Sequence, residues 1–200
     1  MRVEVGELCP LPDDPVLAEW ATAMREVGDW GWIVDSSWRL LFVTEEQRLS
    51  LAYDVEMTPL PIGEHLFGPE VTEMSTHWPI DATNPYRSWR MFFANVGGLI
   101  LADTDGGKAE LRSVVDPVLA DMVDEMSPSN ASATTGSMLS AGSSERGGIL
   151  LQKVLRIRDT DGVLRGTAIL FKPAVGMNVL GTMALERDAG HLERTRAVAS

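Results

Sequence analysis

Residues 149–172, ILLQKVLRIRDTDGVLRGTAILFK, carry the clearest strand pattern in this 200-residue chain. Two apolar, β-rich runs, Ile149 to Arg158 and Val163 to Lys172, flank an Asp-Thr-Asp-Gly loop with the Asp-Gly signal of a hairpin turn. Further towards the N-terminus, Trp30 to Asp35 and Trp38 to Thr44 flank Asp35-Ser36-Ser37, a second turn signal. The sequence therefore predicts two antiparallel hairpins, one early and one late.

Helical patterns fill the space around the hairpins. Asp14 and Pro15 are a typical N-cap and first helical residue, and Gly28 is a typical stop, so they bound a first helix. Later helices are predicted for Glu45 to Tyr53, for Pro85 to Leu101, and for an amphipathic stretch from Leu111 to Met126 that Asp116-Pro117 kinks or divides. The segment after Pro173 is again helical in pattern.

One segment has little pattern. Ser127 to Gly148 is rich in Ser, Ala, Thr and Gly, which favours a flexible loop, with a weak edge strand around Ser137 to Ala141 as the alternative. Strand pairs separated by helices indicate an α+β fold, an antiparallel sheet with helices packed on one face, rather than a doubly wound nucleotide-binding fold. We expect an N-terminal extension (1–12), one domain (13–174) and an exit helix (175–200).

Composition excludes several classes of function. The net charge of −12 argues against nucleic-acid binding, which needs clustered positive charge. The single cysteine, Cys9, cannot form an internal disulfide, and no apolar run approaches the roughly 20 residues that span a bilayer. The acidic start, Met1 to Leu11, lacks the basic region of a secretory signal, so we expect a cytoplasmic protein.

Catalytic motifs are absent from the sequence. It contains no GxGxxG, no GxxxxGK[ST] and no GxSxG. The densest metal-capable stretch runs from Glu64-His65 through Glu70 and Glu73 to His77, but solvated helix and turn is the simpler interpretation. We therefore predict no catalytic residue, no metal site and no cofactor, and we keep a metal-dependent enzyme using His65 and His77 as an alternative.

Aromatic and methionine usage is the strongest positive signal. The chain has 6 Trp and 10 Met, and several aromatic residues fall in the first hairpin and in the helix predicted from Pro85. Such residues can enclose a pocket for a small apolar ligand between a sheet and helices, although a large ordinary core explains them as well. The residues predicted to line the pocket are Trp32, Phe42, His65, Trp89, Phe93 and Leu155.

The order of elements resembles a PAS-like sensor domain: two opening strands, several short helices, then a closing hairpin that leads into an exit helix. More specifically, the chain resembles the amino-terminal regulatory region of actinobacterial class III adenylate/guanylate cyclases. The matching stretches are residues 30–49 (WGWIVDSSWRLLFVTEEQRL), 63–70 (GEHLFGPE), 97–103 (GGLILAD), 111–121 (LRSVVDPVLAD) and 156–194. The Ser/Ala/Gly-rich segment departs from the pattern where a PAS sheet has its third strand.

The resemblance implies a non-catalytic sensory module that passes a signal through its C-terminal helix, Val175 to Ala199, to a linked cyclase domain. It also implies a homodimer, because such cyclases work as dimers. A ligand-free structural dimerisation module, in which the first helix and the exit helix pack between two chains, is the alternative from a different class.

Overall fold

A five-stranded antiparallel sheet organises the computed structural model, which describes residues 2–3, 8–51, 59–73, 86–139 and 149–173. In chain order the strands are β1 (Arg2–Val3), β2 (Trp30–Asp35), β3 (Leu40–Val43), β4 (Leu60–Pro61), β5 (Ala133–Leu139), β6 (Ile149–Arg158) and β7 (Leu164–Pro173). The large sheet has the order β3-β2-β7-β6-β5, and β1 pairs separately with β4. The opening hairpin and the closing strands thus meet through β2 and β7 at the centre.

Six helices connect or cover these strands: α1 (Pro15–Val27), α2 (Glu45–Leu51), α3 (Pro69–Thr72), α4 (Arg87–Asp103), α5 (Gly107–Val114) and α6 (Ala120–Val123) in the described residues. The predicted ends of α1 are confirmed. The Asp14 carboxylate accepts the backbone N–H groups of Val16 and Leu17, and Gly28 takes the left-handed conformation with φ 68°. None of the described helices is long and apolar enough to cross a bilayer.

The two faces of the sheet are covered by different helices. Directly opposed residues share a face, so Phe42, Ile33, Ala168 and Leu155 form one row across four strands. The neighbouring row, Val43, Trp32, Ile169 and Val154, lies on the opposite face. We call the face that carries Trp32 the α4 face, because its side chains contact α4, and the other the α1 face.

Two glycines let α1 approach its face closely. A methyl group added at Gly31 would lie 2.7 Å from Met24 Cε and 2.4 Å from the Ile169 carbonyl oxygen. A methyl group at Gly166 would lie 3.1 Å from Leu17 Cδ2 and 2.2 Å from the Val34 carbonyl oxygen. Both positions must lack a side chain for strands and helix to pack as they do.

The Gly97-Gly98 pair of α4 serves a similar close approach. A methyl group at Gly97 would collide with the Met126 side chain, and one at Gly98 would lie 2.8 Å from the Ser127 carbonyl oxygen. The chain following α6 therefore crosses α4 at these glycines, and Ser129 N–H donates to the Gly98 carbonyl oxygen at 2.7 Å. The pair therefore admits a neighbouring segment without interrupting α4.

The structure confirms the predicted α+β class with an antiparallel sheet, although α1 and α4 cover opposite faces of that sheet, and it corrects one segment. The preferred loop interpretation of Ser127 to Gly148 is wrong for Ala133–Leu139, which form β5 and pair with β6 along their whole length. Thr134 lies in the same row as Val154, and Gly136 lies beside Asn95 of α4, so packing rather than hydrophobicity keeps this polar strand in place. The predicted exit helix, Val175 to Ala199, lies outside the described residues.

Candidate functional site

A cluster of six aromatic rings fills the layer between α4 and the sheet. Its members lie on two strands, on α4 and on the turn before α3, and we call them the aromatic cluster: Trp32, Phe67, Trp89, Phe92, Phe93 and Phe171. Neighbouring ring centroids lie 4.8–6.1 Å apart, in stacked, tilted and edge-on pairs. All six side chains are buried.

Three of the six predicted pocket residues belong to this cluster. Trp32 stacks on Trp89 with centroids 5.9 Å apart, and Phe93 contacts Phe67 at 4.9 Å. Helical spacing places Trp89, Phe92 and Phe93 on one side of α4, because residues three and four apart share a helix face. The structure brings these three predicted residues into one layer.

Phe42 and Leu155 lie on the α1 face instead. Phe42 is buried beneath α1, with the Arg25 guanidinium 5.1 Å from its ring centroid in a cation–π arrangement. Leu155 is partly buried in the same row as Phe42. The sheet therefore separates these two residues from the aromatic cluster, and the predicted set does not form one wall.

His65 lies beside the outer edge of β3. Arg39 forms a β-bridge with it, and Leu40 N–H donates to the neighbouring Glu64 carbonyl oxygen at 2.8 Å. Burial, and secondarily the nearby Arg39 charge, lowers the pKa of His65 to about 4. Its Nδ1 accepts the Phe67 N–H at 3.3 Å. At neutral pH the imidazole is thus uncharged, and its role in ligand contact stays a prediction.

A charged network joins the far end of α4 to the sheet. Asp103, the last residue of α4, accepts two hydrogen bonds from the Arg156 guanidinium, at 2.6 and 2.5 Å. The indole Nε1 of Trp38 donates to the same carboxylate at 2.7 Å. The side chains of Arg156 and Asp103 are only 7% and 11% exposed. The two charges neutralise each other, so the α4 face gains no net charge from this pair.

Trp38 holds its position in this network at some conformational cost. Its φ of 61° is the only left-handed value of a non-glycine residue in the described part of the chain. The Asp35 carboxylate stabilises the turn by accepting the N–H groups of Ser37 and Arg39. The sequence pattern predicted a strand that starts at Trp38, whereas β3 begins at Leu40. The left-handed conformation of Trp38 explains the difference, because it does not fit a regular strand.

Polar side chains accompany the aromatic rings on the α4 face. Gln152 of β6 pairs directly with Phe171 and is 1% exposed. Its Oε1 accepts a hydrogen bond from Asn95 Nδ2 of α4 at 3.2 Å. Within the described residues, the buried atoms Gln152 Nε2 and Trp32 Nε1 have no hydrogen-bond partner. An apolar core has no need of such groups, so their position beside the cluster is a candidate recognition feature.

The sequence did not single out Gln152, Asp103 and Arg156 as site residues. From β6 it predicted only Leu155 to line the pocket. In the structure Gln152, Val154 and Arg156 face α4. The presence of one Gln and two Arg residues in a strand that is otherwise mostly aliphatic was the only available signal.

Metal and thiol chemistry find no support among the described residues. No group of three or more His, Cys, Asp and Glu side chains in these ranges is arranged to hold a metal ion. His77 lies outside them. Burial raises the pKa of the Cys9 thiol, which therefore stays protonated and poorly nucleophilic at neutral pH.

The sheet order and the helices on its two faces together define an α+β fold built on a five-stranded antiparallel sheet. Among solved structures, the chain is similar to the PAS domain of BvgS from Bordetella pertussis. The TM-score is 0.43 and the identity 10%, over 90% of this chain and 97% of that one. No family model matches the sequence. No curated protein matches it either.

Proposed function

We propose that this chain is a sensory or regulatory PAS-like module that receives a small molecule between α4 and the sheet. The observation that carries the proposal is the combination of the aromatic cluster with the buried Gln152 and the partly buried Asn95 in one layer. Small-molecule sites are largely apolar, with a few placed polar groups that orient the ligand. The layer has that composition.

The position of β7 supports an output through the C-terminal segment. β7 is paired on both sides, carries Phe171 of the cluster, and ends at Pro173. A ligand that displaces the Phe171 ring therefore acts two residues before the end of β7. In our proposal this segment passes the change to a linked adenylate or guanylate cyclase domain in the cytoplasm, and the chain itself performs no catalysis.

Ligand screening tests the proposal directly. The purified chain is heated in the presence of a library of uncharged metabolites, and its melting temperature is recorded. We expect at least one compound to raise the melting temperature by several degrees, because a ligand that binds only the folded state stabilises it by mass action. The stabilisation should be lost in Phe92→Ala and kept in Val163→Ala, since Val163 is 54% exposed in the β6–β7 turn. A library without any stabilising compound would overturn the sensory role.

A second candidate function, a ligand-free dimerisation module, is favoured by the outer surface of α1. Trp20 and Val27 are 37% and 71% exposed, and their spacing of seven residues places them on one side of the helix. Sedimentation velocity at micromolar concentration tests this function: we expect a dimer that Trp20→Asp dissociates and Val163→Asp does not. A monomer at all concentrations would exclude it.

A further inference from the structure

The orphaned hydrogen-bond donors on the α4 face indicate which class of molecule the proposed site takes. Trp32 is 2% exposed, and its indole ring is held by Trp89 on one side and by Phe92 and Phe171 on others. These contacts fix the ring plane, so the Nε1–H direction is fixed as well. No described residue accepts a hydrogen bond from that N–H.

Gln152 presents a second donor on the same face. Asn95 binds its carbonyl oxygen, which leaves the amide nitrogen as the free end of the side chain. Gln152 pairs with Phe171 on β7, and Trp32 pairs with Ile169 on the same strand. The two donors therefore flank the Phe171 ring from β6 and β2, which are separated by two strand spacings of about 4.8 Å each.

Charge restricts the ligand further. The buried ion pair on this face, Arg156 with Asp103, is already balanced and bonded internally. An ionised ligand would bring an uncompensated charge into a layer of aromatic rings, which is strongly unfavourable. The two unpaired groups, Trp32 Nε1–H and Gln152 Nε2–H, are both donors. A ligand with a hydrogen-bond acceptor therefore complements them, and a ligand with only donors does not.

We propose that the site binds an uncharged, planar aromatic molecule whose carbonyl or ether oxygen accepts hydrogen bonds from Trp32 Nε1–H and Gln152 Nε2–H. This inference rests on the proposed sensory function and names the ligand class of the same site. The ring of the ligand packs on the aromatic cluster, which is tolerant of shape, and the acceptor supplies the specificity.

A matched pair of probes tests the acceptor. Acetophenone and α-methylstyrene have nearly the same shape, but only acetophenone carries a carbonyl oxygen where the other has a methylene group. We expect the wild-type chain to bind acetophenone at least tenfold more tightly, which corresponds to about 1.4 kcal/mol. Binding is measured by titration of the ¹⁵N-labelled chain, in which the Trp32 indole N–H signal is assigned from its loss in Trp32→Phe. Acetophenone should move that signal downfield, and α-methylstyrene should not.

Variants separate the donor role from packing. Trp32→Phe and Gln152→Leu each remove one N–H donor and leave an apolar side chain in its place. Each variant should therefore lower the ratio of the affinity for acetophenone to the affinity for α-methylstyrene several-fold. The affinity for α-methylstyrene should change less than that for acetophenone. The affinities of the wild-type chain for the two probes can be taken from any signal that shifts during the titration, so their ratio decides the question even if a variant fails to fold.

Different measurements would contradict the ligand class and the sensory function. Equal affinity for the two probes, or no binding of either, overturns the acceptor class. The sensory function survives that result if any library compound stabilises the chain, and it fails if none does.

Discussion

Replacement of Arg156 by leucine is expected to destabilise the domain strongly, because it leaves Asp103 charged and buried. The Asp103 side chain is 11% exposed, and two of its three described side-chain hydrogen bonds come from Arg156. Removal of one partner from a buried ion pair costs about 3–5 kcal/mol. The remaining bond from Trp38 offsets part of this penalty, so we expect a loss of about 3 kcal/mol in the free energy of unfolding.

A double variant distinguishes an uncompensated charge from a simple loss of packing. In Asp103→Leu with Arg156→Leu, both charges leave the interior, and replacement of a whole buried pair by apolar side chains is often close to neutral. We therefore expect the double variant to be more stable than Arg156→Leu alone. A surface control is Arg112→Leu, whose partner Asp124 is 65% exposed and whose loss should cost below about 1 kcal/mol.

Urea denaturation followed by far-UV circular dichroism measures these differences. Stability is taken from the midpoint and slope of each transition, with equal slopes required for the comparison. The explanation is refuted if the double variant loses as much stability, relative to wild type, as Arg156→Leu and Asp103→Leu lose together. Such additivity would mean that the two side chains stabilise the fold independently.

Three further perturbations follow from other parts of the fold. Gly166→Ala should cost several kcal/mol or prevent folding, because the added Cβ would collide with backbone atoms. Gly162→Ala should cost only about 1–2 kcal/mol, since its Cβ would meet no heavy atom within 4 Å and only the left-handed φ of +80° is unfavourable. Similar melting temperatures for the two variants would contradict the steric argument. Asp14→Ala should cost about 1 kcal/mol by removing the N-cap of α1, and an unchanged urea midpoint would show that the cap is dispensable. The pKa of His65 is about 4 in the folded chain and near 6.5 in the unfolded chain, so the unfolded state binds the proton more readily. The contribution of His65 to the free energy of unfolding should therefore fall by up to about 3 kcal/mol as the pH drops from 6.5 to 4, and it should stay level above pH 6.5. His65→Asn should remove that slope; an identical pH profile would assign it to other groups.

Much of the architecture could be predicted because local signals agreed with the tertiary structure. The α1 ends followed from Asp14 and Gly28, and the closing hairpin from its Asp-Gly turn. The strand β5 could not be predicted in the same way. Its stability comes from pairing with β6 and from the fit of Gly136 beneath Asn95, contacts that join residues distant in sequence.

The candidate site was harder to predict than the fold. Trp32, Trp89 and Phe93 were predicted to line a pocket from aromatic content alone. Aromatic content, however, does not say on which face of a sheet a residue lies. Phe42 is as buried as the others, yet it packs beneath α1. Gln152 and Arg156 were not predicted because they are buried through partners, Asn95 and Asp103, that hydrophobic patterning cannot reveal.

The glycines beneath α1 have a consequence for how this fold can diverge. An aromatic layer can be rebuilt with other large apolar side chains, since rings and aliphatic groups can exchange if the volume is kept. Gly31 and Gly166 offer no such exchange, because the obstructing atoms are backbone oxygens of adjacent strands, which no second substitution can remove. Chains that keep this packing of strands and helix should therefore retain glycine at these two positions long after their ring layers have become unrecognisable.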